Sequence, residues 1–130
     1  MQDKLRFLSS AALAALLAAT LAFVQGARAR NLNGEHDNDP HKDWYESQRN
    51  KSGGSCCADG DGHPFFGDYK FNAEGGVEFD ADGNHHSLPA YMVLDGPNPT
   101  GHAVWWYIDW QTNGGAIAHA DYCFAPGARG

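Results

Sequence analysis

The side chains of this chain that could do acid/base or ligand chemistry fall into three groups. Asp109, His119 and Asp121, with Tyr107 beside them, set carboxylates against a histidine, and a carboxylate next to an imidazole orients the ring and favours its charged form. That chemistry would suit a small hydrolase. Asp59, Asp61 and His63 follow the adjacent pair Cys56-Cys57 and offer oxygen and nitrogen donors to a divalent metal ion. His36, Asp37, Asp39, His41 and Asp43 repeat a D-x-D spacing, but an EF-hand loop needs Gly where Lys42 stands and a bidentate Glu where Gln48 stands. Asp80-x-Asp82-x-Asn84 fails the same test at His85. The sequence contains no G-x-S-x-G, H-E-x-x-H or glycine-rich phosphate loop.

Whether Asp109 and His119 meet depends on strand register. His102 to Gln111 and Ala116 to Phe124 read as two strands separated by Asn113-Gly114-Gly115. A two-residue loop on Asn113-Gly114 would set Trp106 opposite Asp121 and Ile108 opposite His119, mixing apolar and charged groups on one face. A three-residue loop ending in Gly115, which tolerates the left-handed conformation, pairs Val104 with Phe124, Trp106 with Tyr122, Ile108 with Ala120 and Trp110 with Ala118. The opposite face then carries Trp105 against Cys123, Tyr107 against Asp121, and Asp109 against His119. This register is the one expected.

A second hairpin centres on the Asp82-Gly83 turn, pairing Val77 with Leu88 and Phe79 with His86 on an apolar face, and Glu78 with Ser87 and Asp80 with His85 on a polar one. Tyr69 and Phe71 mark a further strand. Leu88 to Leu94 reads as a turn feeding a short apolar run, and Asp95 to Gly101 as a rigid loop. Upstream, Asp39-Pro40 supplies an N-cap and a first-turn proline for a helix from His41 to Arg49 that presents Trp44, Tyr45 and Gln48 on one side. The expected fold is mainly β, a small α+β domain over residues 40–130 with an antiparallel sheet of about four or five strands and one short N-terminal helix. With Trp44, Trp105, Trp106, Trp110, Tyr107 and Tyr122 in so small a domain, a strand carrying successive tryptophans is not expected to bury both faces. Either Trp105 or Tyr107 would then be exposed, as a contact surface for an envelope protein or a glycan, or the helix of Trp44 covers them.

The N-terminus points to export. Lys4 and Arg6 precede the apolar run Phe7 to Val24, and Ala27-Arg28-Ala29 is a small-x-small cleavage signal, so residues 1–29 read as a signal peptide. Residues 30–39, polar and rich in Asn and Asp, read as a flexible leader. Losing Lys4, Arg6, Arg28 and Asp3 changes nine basic and sixteen acidic side chains to six and fifteen, a net charge of −9. Nucleic acid and anionic lipid would be repelled.

An oxidising destination favours a disulfide among the three cysteines. Bonding adjacent residues strains the ring, so Cys123 is expected to bond to Cys56 or Cys57. The closed loop of about 66 residues would be worth about 4 kcal/mol through the unfolded chain. One thiol is left over.

The residues Trp44-Tyr45, Cys56-Cys57, Asp61-Gly62-His63, Asn98-Pro99-Thr100-Gly101-His102-Ala103, Trp106 and Cys123-Phe124-Ala125-Pro126-Gly127 lie along nearly the whole mature chain. In this layout of W-Y, C-C, D-G-H, N-x-x-G-H-A and C-F-x-P-G the chain resembles a family of small exported alphaproteobacterial proteins of unassigned activity. Many similar proteins carry a further Cys after the C-C pair and another before the last one, and this chain has neither.

The readings converge on an exported, soluble cell-envelope protein, periplasmic or secreted, with no membrane insertion after signal cleavage and no cofactor. Its expected role is that of a non-enzymatic binding or structural module. The alternatives are a divalent-metal-binding protein acting through its His/Asp clusters, and a small hydrolase using Asp109, His119 and Asp121.

Overall fold

A computed structural model of the chain describes residues 36–57 and 61–128. The expected signal peptide, the leader as far as Glu35, and Asp59 lie outside the described residues. The described residues form one short α-helix, α1 (Lys42–Ser47), and six strands: β1 (Asp61–Phe65), β2 (Tyr69–Phe71), β3 (Val77–Ala81), β4 (Asn84–Leu88), β5 (Ala103–Gln111) and β6 (Ile117–Ala125). They build two antiparallel three-stranded sheets, ordered β1-β5-β6 and β2-β3-β4.

Among the described residues the fold is thus mainly β with one α-helix and a disulfide, as expected, and with six strands instead of four or five. The unexpected strand is β1, whose sequence Asp-Gly-His-Pro-Phe places three strand-disfavouring residues, Asp61, Gly62 and Pro64, within five positions. It is tolerated because β1 is an edge strand, where a proline need not donate to a neighbour. Its Gly62 has a packing reason: an added Cβ would come within 2.7 Å of the Trp106 indole and 2.9 Å of the Tyr45 ring.

The expected β3–β4 register holds at every position, from Val77↔Leu88 to Ala81↔Asn84. Asp82 (φ 50°) and Gly83 (φ 76°) both take the left-handed conformation of a type I′ turn. For β5–β6 the expected register holds only from the turn inward, through Asp109↔His119 to Tyr107↔Asp121. The three-residue loop is present, with Thr112 N–H donating to the Ala116 carbonyl at 2.8 Å and Gly115 at φ 81°.

Beyond Tyr107 a β-bulge shifts the pairing to Trp106↔Cys123, Trp105↔Phe124 and Val104↔Ala125, leaving Tyr122 as the extra residue. The bulge moves Cys123 off the Trp105 face and onto the Trp106 face. There it meets Cys56, to which it is bonded with a Cα–Cα distance of 5.4 Å. Phe124 in turn moves to the face of Trp105.

Strand β5 therefore lies between two cores. On one side Val104, Trp106, Cys123 and Ala125 pack with Tyr45 of α1, Cys56, Cys57 and Leu94. On the other, Ala103, Trp105 and Phe124 pack against Val77, Phe79 and Leu88 of the second sheet. The expectation that Trp105 or Tyr107 stays exposed is corrected: Trp105 is 4% exposed and Tyr107 half-buried, because the second sheet covers that face. The exposed tryptophan is Trp110, near the hairpin tip.

The helix is shorter than the expected His41–Arg49. The expected cap by Asp39 is not made: the N-cap is His41, with no side-chain cap bond, and the Asp39 carboxylate accepts the His41 N–H at 2.7 Å in the turn before the helix. Its end is set by Gln48, which is extended (φ −69°, ψ 141°) and leads Arg49 into an isolated bridge with Ser55. His36, in the stretch expected to be a loose leader, is buried with its ring stacked on Tyr45 at 3.9 Å and its Nε2 bonded to the Gly62 carbonyl. Among the described residues no helix is long and apolar enough to cross a membrane.

Candidate functional site

The site lies on the outer half of the β5–β6 hairpin, facing the β3–β4 turn across a cleft. Side chains at alternate positions share a face, so Trp105, Tyr107 and Asp109 of β5 line up with His119 and Asp121 of β6. Trp105 at the inner end is sealed by the second sheet. Farther out, the β3–β4 turn no longer closes against the hairpin, and a cleft of about 360 Å³ opens between Asn84 and His86 on one side and Trp105, Tyr107, Asp109 and His119 on the other. Asp82 and the exposed Ile117 complete its lining. The acid/base group thus borders a concavity.

His119 sits between two carboxylates. Its Nδ1 is 2.6 Å from Asp109 Oδ1 and its Nε2 2.8 Å from Asp121 Oδ1. The same Asp121 oxygen accepts the Trp105 indole N–H at 2.8 Å, which fixes the carboxylate against the core. Partial burial of the ring lowers the pKa of His119, but the two bonded carboxylates outweigh it and the net shift is upward from 6.5. Charged, the imidazolium donates from both nitrogens and leaves no lone pair for a substrate proton. A histidine held this way is a poor general base, since that role needs one free ring nitrogen.

His86 is the residue that sequence reasoning missed. Its ring stacks on Phe79 (centroids 5.3 Å apart, planes at 16°) and meets Trp105 edge-on at 4.7 Å, while its Nε2 is buried without a hydrogen-bond partner. The ring centroid of His119 is 5.2 Å away. One nitrogen each from His86 and His119 and one oxygen of Asp121 lie within 4.8 Å of one another. The sequence signal was present but unused: pairing Phe79 with His86 already put this histidine on the face turned toward the other sheet.

Compared with protein-family models, with curated proteins and with solved structures, the chain matches none. The reading of the site therefore stands on its geometry.

The other expected groups are dispersed. Asp61 is buried and His63 packs its ring on Tyr107 at 4.4 Å, and among the described residues neither gathers with further donors into a ligand set. In the leader, Asp37 lies 3.5 Å from Lys42 Nζ and Asp39 accepts the His41 N–H in the turn before α1. His85 bonds Asp80 at 2.9 Å on the solvent side of the second sheet. Cys57, the odd thiol, is buried with its S–H directed at the Tyr45 carbonyl at 3.2 Å. Burial, aided by the charges of Asp61 and Glu46, pushes its pKa up to about 11, so it carries no thiolate chemistry near neutral pH.

Proposed function

We propose that this chain acts outside the cytoplasm as a non-enzymatic binding module, taking a positively charged ligand into the cleft beside His119. The observation that carries the reading is the double-carboxylate clamp on His119 at the wall of a concave site. Asp82, Asp109 and Asp121 exceed the single charge of His119, and Trp105 and Tyr107, which line the cleft, are aromatic rings whose negative π faces attract cations. The net charge of −9 after signal cleavage adds a long-range field of the same sign. Export follows from the N-terminal signal, and the resemblance to small exported alphaproteobacterial proteins agrees with it. The periplasm or the medium is the expected location, and neither nucleic acid nor an anionic membrane is an expected partner.

The test is a titration of the isotope-labelled protein with tetramethylammonium and with divalent cations, using sulfate as the anion control. Saturable shifts of the Trp105 indole N–H and the His119 ring with cations alone support the reading. An absence of saturable shifts with every cation refutes it.

A further inference from the structure

We infer that His86 Nε2, His119 Nε2 and the Asp121 carboxylate form a binding site for one divalent transition-metal ion, with zinc as the reference ion. The inference rests on the cation-binding reading above and names its ligand class. The three donors come from β4 and β6, which belong to different sheets, so only the packing of sheet on sheet brings them together. Two imidazoles and a carboxylate suit zinc, copper or nickel; calcium and magnesium prefer all-oxygen shells.

Three further features fit a metal. The buried Nε2 of His86 lacks a hydrogen-bond partner, while its ring is held between Phe79 and Trp105, so the nitrogen is fixed in place and unused. His102 Nε2 is also buried and unpartnered, but among the described residues it has no companion donors. Asp109, at 2.6 Å from His119 Nδ1, would hold that nitrogen as the N–H form and leave the Nε2 lone pair for the ion. The Trp105 indole N–H orients Asp121 in the same way.

The ligand atoms of a tetrahedral ion bonded at about 2.1 Å lie about 3.4 Å apart. The three donor atoms lie within 4.8 Å of one another and would have to draw closer around an ion, and His119, whose side chain is 30% exposed, has the most room to move. Binding replaces a proton with the ion: the charged ring releases its Nε2 proton to solvent as the metal–nitrogen bond forms. Asp109 and Asp121 then balance the two positive charges of the ion, and the cleft side keeps an open coordination position.

The experiment uses the untagged, exported and oxidised protein, stripped with a chelator and titrated with Zn²⁺ by calorimetry and with Co²⁺ by its visible absorption. One equivalent with a tetrahedral Co²⁺ spectrum is expected. His86→Ala and His119→Gln should each weaken binding by 100-fold or more, and Asp109→Asn by about 10- to 100-fold as an orienting partner. His85→Ala, on the solvent face of the same strand, should change nothing. Should His86→Ala unfold, the exposed His119→Gln decides alone. Failure to bind one equivalent of either metal overturns the site, as does full affinity in His119→Gln. If tetramethylammonium still shifts Trp105 in that case, the cation-binding reading survives; if it does not, both fall together.

Discussion

The two faces of β5 use the same kind of residue to opposite ends. On the Trp106 side, Tyr45, Cys56, Trp106 and Cys123 are each no more than 1% exposed, and His36 and Cys57 are tied to the Gly62 and Tyr45 carbonyls. On the Trp105 side the same depth of packing gives way, within two residues along the strand, to Tyr107, Asp109, His119 and Asp121 around an open cleft. One face is closed by covalent and steric means. The other keeps ionisable groups half-covered, where partial desolvation strengthens charge pairing without extinguishing it. The motif residues divide in the same way. Cys56, Gly62, Trp106 and Cys123 belong to the closed face, and Asn98 ties the loop before β5 to the C-terminal segment through the His102 and Pro126 carbonyls at 2.8 and 3.1 Å. The clamp residues lie outside every motif.

The comparison breaks most readily at the disulfide. Replacing Cys56 and Cys123 together with Ala should cost about 4 kcal/mol, read as a lowered denaturant midpoint, because a 67-residue separation is released in the unfolded chain. Were the loss below about 1 kcal/mol, the closed face would be held by packing alone. Next in size is Gly62→Ala, whose methyl group meets Trp106 and Tyr45 at less than 3 Å; a cost of about 1–3 kcal/mol is expected from overpacking, against little effect for the same change at the open Gly96.

The odd thiol sharpens the contrast through pH. Cys57 has its folded pKa raised from 9.0 to about 11, so the neutral thiol is favoured in the fold. Its contribution to stability is complete below the unfolded pKa and is lost as pH rises from about 9 toward 11. Wild-type stability should fall across that window and Cys57→Ala should fall less. In the native unreduced protein Cys57 should resist alkylation at neutral pH and react once denatured.

How much of this was legible in the sequence followed from how local each determinant is. The β3–β4 register was readable because Asp82-Gly83 fixes the turn and Val77/Phe79 fix the buried face within a dozen residues. The β5–β6 register was readable near its turn and lost at Tyr122, where a bulge answers a demand from Cys56, 67 residues before the partner cysteine. Strand β1 was hidden because Gly62 and Pro64 are explained by an edge and by close packing, neither visible in its own composition. Asp109 and His119 were placed by register, whereas His86 joined them through contact between sheets, which no spacing in the chain encodes.

The finest test of the contrast is the titration of His119 in metal-free protein. Its pKa is raised because the bonds from Asp109 and Asp121 outweigh the loss of hydration; the groups facing it are these two carboxylates, the ring of His86, and Asp82 across the cleft. A raised folded pKa means that the stability it contributes is present below the unfolded value and is lost as pH climbs through the folded one. Asp109 is half exposed, so the pair should be worth only about 0.2–1 kcal/mol, the range of solvent-reached ion pairs. Asp109→Asn should therefore bring the His119 titration, followed by the NMR shifts of its ring protons, to lower pH while leaving the denaturant midpoint almost unmoved near pH 8. Asp80→Asn, facing His85 on the solvent side of the second sheet, should leave His119 where it is. If His119 in Asp109→Asn titrates as it does in the wild type, the bond to Asp109 is fully screened by water and the outer half of the hairpin is an ordinary polar surface.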